Sequence, residues 1–237
     1  MVARLAEALR ETIRVQDGRV PLLERHLARL RAGGCDAGIL AAARREAERA
    51  ARTWDESYGR MTLLVPVDGD VSVDVTASPS TIAVEGGPVI ALVVSATPHL
   101  PPGAAKPADR SFWDAALGVA RSHGAHVAVM VSEGGLILDT SQATIWVVRG
   151  ATLLTPPSPP ALAGVSRGFV LDVAPTLGLV AKSAELVPPD LDDADEVFLT
   201  TAVAGAVAVR GRGGPVSEML AAEFERVFAA DGGCSTC

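Results

Sequence analysis

A chain of 237 residues, 49% of them hydrophobic and with a mean hydropathy of +0.30, has enough apolar material to bury a sizeable core as one globular unit or two small lobes. The formal charge of −7 and a pI near 5.1 carry no electrostatic footprint for nucleic acid or an anionic membrane, both of which call for clustered Lys and Arg. No secretory pattern is visible in MVARLAEALRETIR, no apolar run approaches the roughly 18 residues that span a bilayer, and three cysteines make no disulfide framework, so a cytoplasmic protein is expected.

In chain order, Ala3 to Val15 reads as a short helix or strand entry into Glu11–Val15, and the turn Gln16-Asp17-Gly18-Arg19 with Val20 to Leu23 predicts a hairpin. The helical spacing of Leu23, Leu27 and Leu30 predicts a helix ended by Gly33-Gly34, and Asp36 is placed to cap a second helix through Thr53. Met61–Val67, Val71–Thr76, Thr81–Val84 and Val89–Ser95 are β-branched runs separated by Asp, Gly and Pro, which predicts an antiparallel meander. The connector Pro98-His99-Leu100-Pro101-Pro102-Gly103 marks a boundary near residue 100, giving an N-terminal lobe over 1–100 and a second lobe over 101–237.

Beyond the connector, helices are predicted over Asp109–Ser122, Ser166–Leu177 and Glu218–Ala230. Strands are predicted over Val127–Ser132, Leu136–Leu138, Thr144–Val148, Thr152–Thr155, Val180–Leu186 and within Val197–Val209, with an acidic turn at Leu191–Ala194. The terminal Cys234-x-x-Cys237 lacks a second ligand pair, and His123 and His126 lack a third ligand, so no metal site is expected.

Nineteen of the basic residues are arginine and only two, Lys106 and Lys182, are lysine. A lysine in such a chain asks for a reason, and the one thing its amine does that a guanidinium cannot is lose its proton on burial and condense with an aldehyde. Lys106 stands at the lobe boundary, just ahead of a helix. Asp139 follows the strand Leu136-Ile137-Leu138 and is a rigidly placed carboxylate. Gly164-Val165-Ser166-Arg167 opens a helix after a run of prolines and presents free N–H groups to an anion. Arg29 can add a bidentate charge contact, and Thr200 and Thr201 hydroxyls. An amine, a carboxylate for a pyridine nitrogen and a phosphate cup are the parts a pyridoxal phosphate site needs.

From about residue 9 to residue 210 these parts fall in ordered motifs: ETIRVQDGRVPLL then HLARL, KPADR at Lys106–Arg110, GLILDT at Gly135–Thr140, TP followed by GVSR at Gly164–Arg167, and DLDDADEVFLTT ending at Thr201. The chain thereby resembles the fold-type IV pyridoxal phosphate enzymes, the class IV aminotransferases and 4-amino-4-deoxychorismate lyase. The resemblance implies a two-lobe α+β/α/β fold of the D-amino acid aminotransferase type, with a small N-terminal α+β lobe and a larger, β-barrel-like C-terminal lobe with helices, assembled as a homodimer. It implies that Lys106 is the Schiff-base lysine and the acid–base group at the substrate Cα, that Asp139 faces the pyridine nitrogen, and that Arg29, Val165, Ser166, Thr200 and Thr201 hold the phosphate. Asp139 is one methylene shorter than the family's glutamate, Thr144 replaces its frequent asparagine and Ala202 a hydroxyl residue. The stretch TIRVQDGRVPLL is most similar to the lyase, which eliminates pyruvate to give 4-aminobenzoate. A branched-chain or D-amino acid aminotransferase is the alternative reaction, and a diverged non-catalytic scaffold or partner subunit the alternative of another class.

Overall fold

The computed structural model describes residues 8–66, 70–80 and 82–229. Expectations that fall on Ala3–Glu7, Val67, Thr81, Ala230 and the Cys234/Cys237 pair lie outside the described residues.

Strand β1 (Leu9–Gln16) alternates strictly, with Leu9, Glu11, Ile13 and Val15 buried and Arg10, Thr12, Arg14 and Gln16 half-buried on the other face. Asp17 and Gly18 both take positive φ (49° and 73°), the geometry that reverses a chain in two residues, and Gln16 and Arg19 exchange both backbone hydrogen bonds at 2.9 Å. The turn is therefore as the sequence predicts, but Val20–Leu23 is not its second strand. Leu22 enters the left-handed region (φ 61°) and the chain turns into helix α1 (Leu23–Ala32). The apolar residues of that run answer to the helical period, which buries Leu23, Leu27 and Leu30.

Helix α2 (Ala37–Arg52) is capped by Asp36, whose side chain accepts from the Ile39 N–H at 2.9 Å. It packs on the antiparallel sheet formed by β1, β2 (Tyr58–Val65) and β3 (Ser72–Thr76), in that spatial order. The first core lies between this sheet and the two helices, and alanines 43, 47 and 51 let α2 approach closely.

The predicted meander ends at β3. Ile82–Val84 forms no strand, and β4 (Ile90–Val94) pairs in parallel with β5 (Val127–Val131) in a separate sheet, β4-β5-β6, completed by β6 (Ile137–Thr140). The connection from β4 to β5 crosses over through α3 (Ser111–Ser122), which packs on both strands. A continuous apolar run such as IALVV fits a parallel strand as well as an antiparallel one, and its partner is set by this long crossover, which local alternation cannot report.

The third sheet has the order β11-β10-β7-β8-β9, with β7 (Thr144–Arg149), β8 (Thr152–Thr155), β9 (Val180–Ser183), β10 (Glu196–Thr201) and β11 (Gly205–Ala208). All of its pairings are antiparallel except β8 with β9. Helix α4 (Val165–Val173) precedes β9, and the predicted acidic turn is the short helix α5 (Pro188–Asp192). Helix α6 (Pro215–Ala229) is tied to β10 by Glu196, whose carboxylate accepts from the Val216 and Ser217 N–H groups, both at 2.8 Å. Among the described residues no helix is long and apolar enough to cross a membrane.

The first sheet is tied to the Lys106 segment and to the third sheet. The backbone N–H of Arg10 donates to the Lys106 carbonyl (3.0 Å) and that of Ala108 to the Ala8 carbonyl (2.7 Å), so the segment carrying Lys106 runs along the edge of β1. Arg14 donates to the Val203 carbonyl (2.9 Å) with its guanidinium against the Tyr58 and Phe228 rings, which pins the β10–β11 loop to the first sheet.

That loop closes at Gly205, where φ is +70° and an added Cβ would lie 2.8 Å from the Phe224 Cβ. Gly205→Ala combines backbone strain with overpacking and is expected to lower stability by about 2–4 kcal/mol, read as a shift in the urea midpoint.

Candidate active site

The three sheets enclose a cavity of about 330 Å³, within the range of small-molecule sites. All seven residues singled out in the sequence, Arg29, Lys106, Asp139, Val165, Ser166, Thr200 and Thr201, line it.

Lys106 is half-buried, and its Nζ donates to Thr12 Oγ1 at 2.9 Å. Burial of the amine, with the Arg110 and Arg29 charges beside it, holds its pKa well below the ordinary lysine value against the opposing pull of Glu11. A larger share of neutral amine at neutral pH follows, as nucleophilic or proton-transfer use requires.

Asp139 sits in the middle of β6 with one oxygen accepting from the Thr140 N–H (2.8 Å) and the other from the Leu162 N–H (3.2 Å). Burial pushes its carboxyl up to about 7, against these two N–H groups and the Arg110 charge. A carboxyl in that condition lacks a close cation, and a protonated ring nitrogen would supply one.

Helix α4 starts at Gly164 with no side-chain cap, which leaves the N–H groups at Val165 and Ser166 to whatever occupies the cavity. Glycine is required there by proximity, since a Cβ at 164 would lie 2.7 Å from Thr144 Oγ1. Thr200 and Thr201 line the same end but are partly engaged. Thr200 Oγ1 accepts from the Trp146 indole at 3.1 Å, and Thr201 Oγ1 accepts from the N–H groups of Ala204 (2.9 Å) and Val203 (3.3 Å).

Arg29 does not stand alone. Its Nε donates to Glu11 at 2.8 Å, one terminal nitrogen donates to the same carboxylate, and the other donates to the Ala163 carbonyl at 3.1 Å. These bonds occupy three of the five guanidinium N–H groups and leave two to face the cavity. Glu11 also meets His26 Nδ1 at 2.6 Å, and both side chains are 1% exposed. Burial opposes ionisation of Glu11, but Arg29 and His26 outweigh it and hold the carboxyl at about 2.

Sequence reasoning missed Glu11, although its signal was present. Leu9, Glu11, Ile13 and Val15 share the inward face of β1, and a carboxylate in that register demands a buried cation. It also missed Arg10, Thr12, Arg60 and Arg110, which line the cavity. Arg10 and Thr12 lie on the second face of β1 and Arg60 on that of β2, a face that looks solvated until the cavity is known.

The mixed three-sheet architecture with a lysine at the cavity edge is that of the fold-type IV aminotransferases. Residues 8–211 match the family model for amino-transferase class IV, and the chain belongs to that family, whose enzymes use pyridoxal phosphate. The branched-chain-amino-acid aminotransferase of Escherichia coli (strain K12) is 29% identical over 147 residues, 57% of this chain and 48% of that one. Branched-chain-amino-acid aminotransferase 1, mitochondrial, of Arabidopsis thaliana is 34% identical over 77 residues, 32% of this chain and 20% of that one. The match thus spans about half the length, or less, of these curated relatives.

Among solved structures, a hypothetical aminotransferase from Mycobacterium tuberculosis in its alpha-ketoglutarate and PMP bound form aligns with a TM-score of 0.79 at 24% identity, covering 94% of this chain and 89% of that one. The Escherichia coli branched-chain amino acid aminotransferase aligns at 0.78 and 22%, over 94% and 86%. A protein proposed to be a 4-amino-4-deoxychorismate lyase aligns at 0.76 and 24%, over 92% and 89%. At these identities the likeness is one of fold.

Removing Glu11 leaves His26 and Arg29 buried without their anion. Glu11→Ala is expected to cost about 3–5 kcal/mol in chemical unfolding. Because folding lowers the Glu11 pKa from 4.5 to about 2, its contribution is complete above about pH 4.5 and is lost as pH falls through about 2. Urea midpoints from pH 6 to pH 3 should fall in the wild type and fall less in Glu11→Gln.

Proposed function

We propose that this chain is a pyridoxal-phosphate-dependent enzyme acting at the Cα of a small amine-bearing acid, with Lys106 as cofactor anchor and proton-transfer group. The observation that carries the reading is the meeting in one cavity of a depressed lysine amine, a buried carboxyl without a close cation and an uncapped helix start. Each of these features is explained by one part of the cofactor, and none by packing. When bound, pyridoxal phosphate supplies an electrophilic aldehyde and an electron sink for the electron pair left at Cα.

The protein's own groups do the rest. Thr12 accepts from Lys106 Nζ and fixes where the amine stands. Its lowered pKa lets it take a proton at Cα near neutral pH and return it. Arg29, clamped by Glu11, has two donors for a phosphate, and the N–H groups at Val165 and Ser166 add the helix-terminal ones. Thr200 and Thr201 stand at the same end. Asp139, oriented by its two backbone hydrogen bonds, would hold the ring nitrogen of the cofactor and would ionise beside that cation.

Of the reactions this machinery serves, elimination of pyruvate from aminodeoxychorismate is the reading we put first, on the lyase-like stretch Thr12–Leu23. Transamination is the second, favoured by the aminotransferase names of the curated relatives. We further propose a homodimer, with lobes divided near residue 100.

Purified protein given pyridoxal phosphate is expected to turn yellow, with a visible band that is absent in Lys106→Ala. Asp139→Asn should weaken cofactor uptake about tenfold or more, measured by absorbance titration. A protein that stays colourless overturns the proposal and favours a non-catalytic scaffold. With the yellow protein, pyruvate release from aminodeoxychorismate without a 2-oxo acid is the expected result, and a strict requirement for such an acceptor assigns transamination instead.

A further inference from the structure

Helix α3 carries a tryptophan whose polar end is left without a partner. Trp113 is 3% exposed, and its Nε1–H is shut off from water without a hydrogen bond. A buried indole usually finds an acceptor, because an orphaned N–H forfeits the hydrogen bond that water gave it. Packing alone would be met by a phenylalanine, which buries nothing polar.

The acceptor at hand is Asp139. Met130 stands opposite Asp139 in the β5–β6 register, so the two side chains share one face of that sheet, and Met130 belongs with Trp113 to the apolar cluster beneath α3. Leu162 packs on the same cluster, and its N–H holds one Asp139 oxygen. Against the burial that raises the Asp139 pKa, the indole N–H helps to lower it, after the Thr140 and Leu162 N–H groups and ahead of the Arg110 charge, yet it stays outside hydrogen-bonding geometry. Two cations act on that carboxyl from the helices around it, Arg110 at the start of α3 and Arg167 on α4, but both guanidinium groups are bonded elsewhere. Arg110 donates to the Ser141 carbonyl at 2.6 Å and lies 5.8 Å from the Trp113 ring centre, and Arg167 donates to Ser183 Oγ at 2.5 Å. A neutral carboxyl is a weak acceptor and a carboxylate a strong one, so ionisation of Asp139 is what draws the indole N–H in.

We propose that Trp113 is a positioning residue for Asp139: its indole N–H closes onto the carboxylate when Asp139 ionises and holds that side chain in place for the ring nitrogen of the cofactor. This deepens the proposed role of Asp139 and rests on it. The tryptophan touches neither cofactor nor substrate and acts only through the carboxylate.

The first test follows the indole N–H resonances of the cofactor-free full chain by proton–nitrogen NMR, with that of Trp113 assigned by elimination through Trp54→Phe and Trp146→Phe. It is expected to move downfield as pH rises through about 7, where Asp139 ionises, and to stay still in Asp139→Asn. In protein loaded with pyridoxal phosphate it should keep its high-pH position throughout. The second test measures cofactor uptake by absorbance titration. Trp113→Phe is expected to weaken uptake about three- to tenfold, the worth of one hydrogen bond. The same substitution made in Asp139→Asn should change it little, because the acceptor is gone. A Trp113 resonance that does not titrate, or that titrates unchanged in Asp139→Asn, overturns the proposal, and so does an equal loss of uptake in both backgrounds, the mark of a packing role. If Trp113→Phe does not fold, the resonance decides alone. If the protein takes up no cofactor, the reading of the previous section fails, while the resonance of the cofactor-free chain still decides whether Trp113 serves Asp139.

Discussion

A carboxylate on the inward face of β1 sets the terms for the rest of the molecule. Glu11 occupies a position that its neighbours Leu9 and Ile13 mark as core, and an ion there persists only if cations meet it. Arg29 does so as a cation, and His26, one helical turn earlier on α1, meets the carboxylate through Nδ1 while burial lowers its own pKa. The consequence is geometric: α1 is fixed in rotation and height against β1, and the outer edge of the Arg29 guanidinium is held toward the α4 start, where it also meets the Ala163 carbonyl. An arginine held this way has little side-chain freedom left to lose to any anion that meets it.

Much of the architecture can be read locally. Asp36 and the alanine-rich run behind it specify α2, Asp17-Gly18 specifies a two-residue turn, and the strands of the third sheet are bounded by Gly and Pro. What cannot be read is partnership. Ile90–Val94 has the composition of a strand whichever sheet it joins, and its parallel pairing with Val127–Val131 depends on the intervening helix folding back. The same limit applies to the site. Lys106 was legible because lysine is scarce, and Asp139 and Arg29 because they follow it and precede it in a fixed order. Arg10, Arg60 and Arg110 were not, because in an arginine-rich chain one more arginine on a strand looks like a solvated face. Thr12 was hidden for a similar reason, since a threonine in a strand needs no explanation until an amine is found donating to it.

The site also shows how stability is distributed. Apolar clusters lie behind the sheets, with Trp146, Phe198, Phe224 and Phe228 wholly buried around β7, β10 and α6. Against that background several unfavourable features meet in the cavity: a lysine whose pKa is held well below its ordinary value, a carboxyl that burial has pushed up to about 7, and arginine Nε atoms without a hydrogen-bond partner. Such a gathering of perturbed groups in one cavity is what marks it as the candidate site.

The backbone hydrogen bonds that run Lys106 along the edge of β1 mean that the amine moves with the first sheet, whereas Asp139 belongs to the β4-β5-β6 sheet and Val165 to the helix packed near the third. The three groups therefore sit on different elements, and their alignment is a property of how the sheets seat against one another. The register of the candidate site is a tolerance of assembly, held at the seam by Arg14 and the β10–β11 loop.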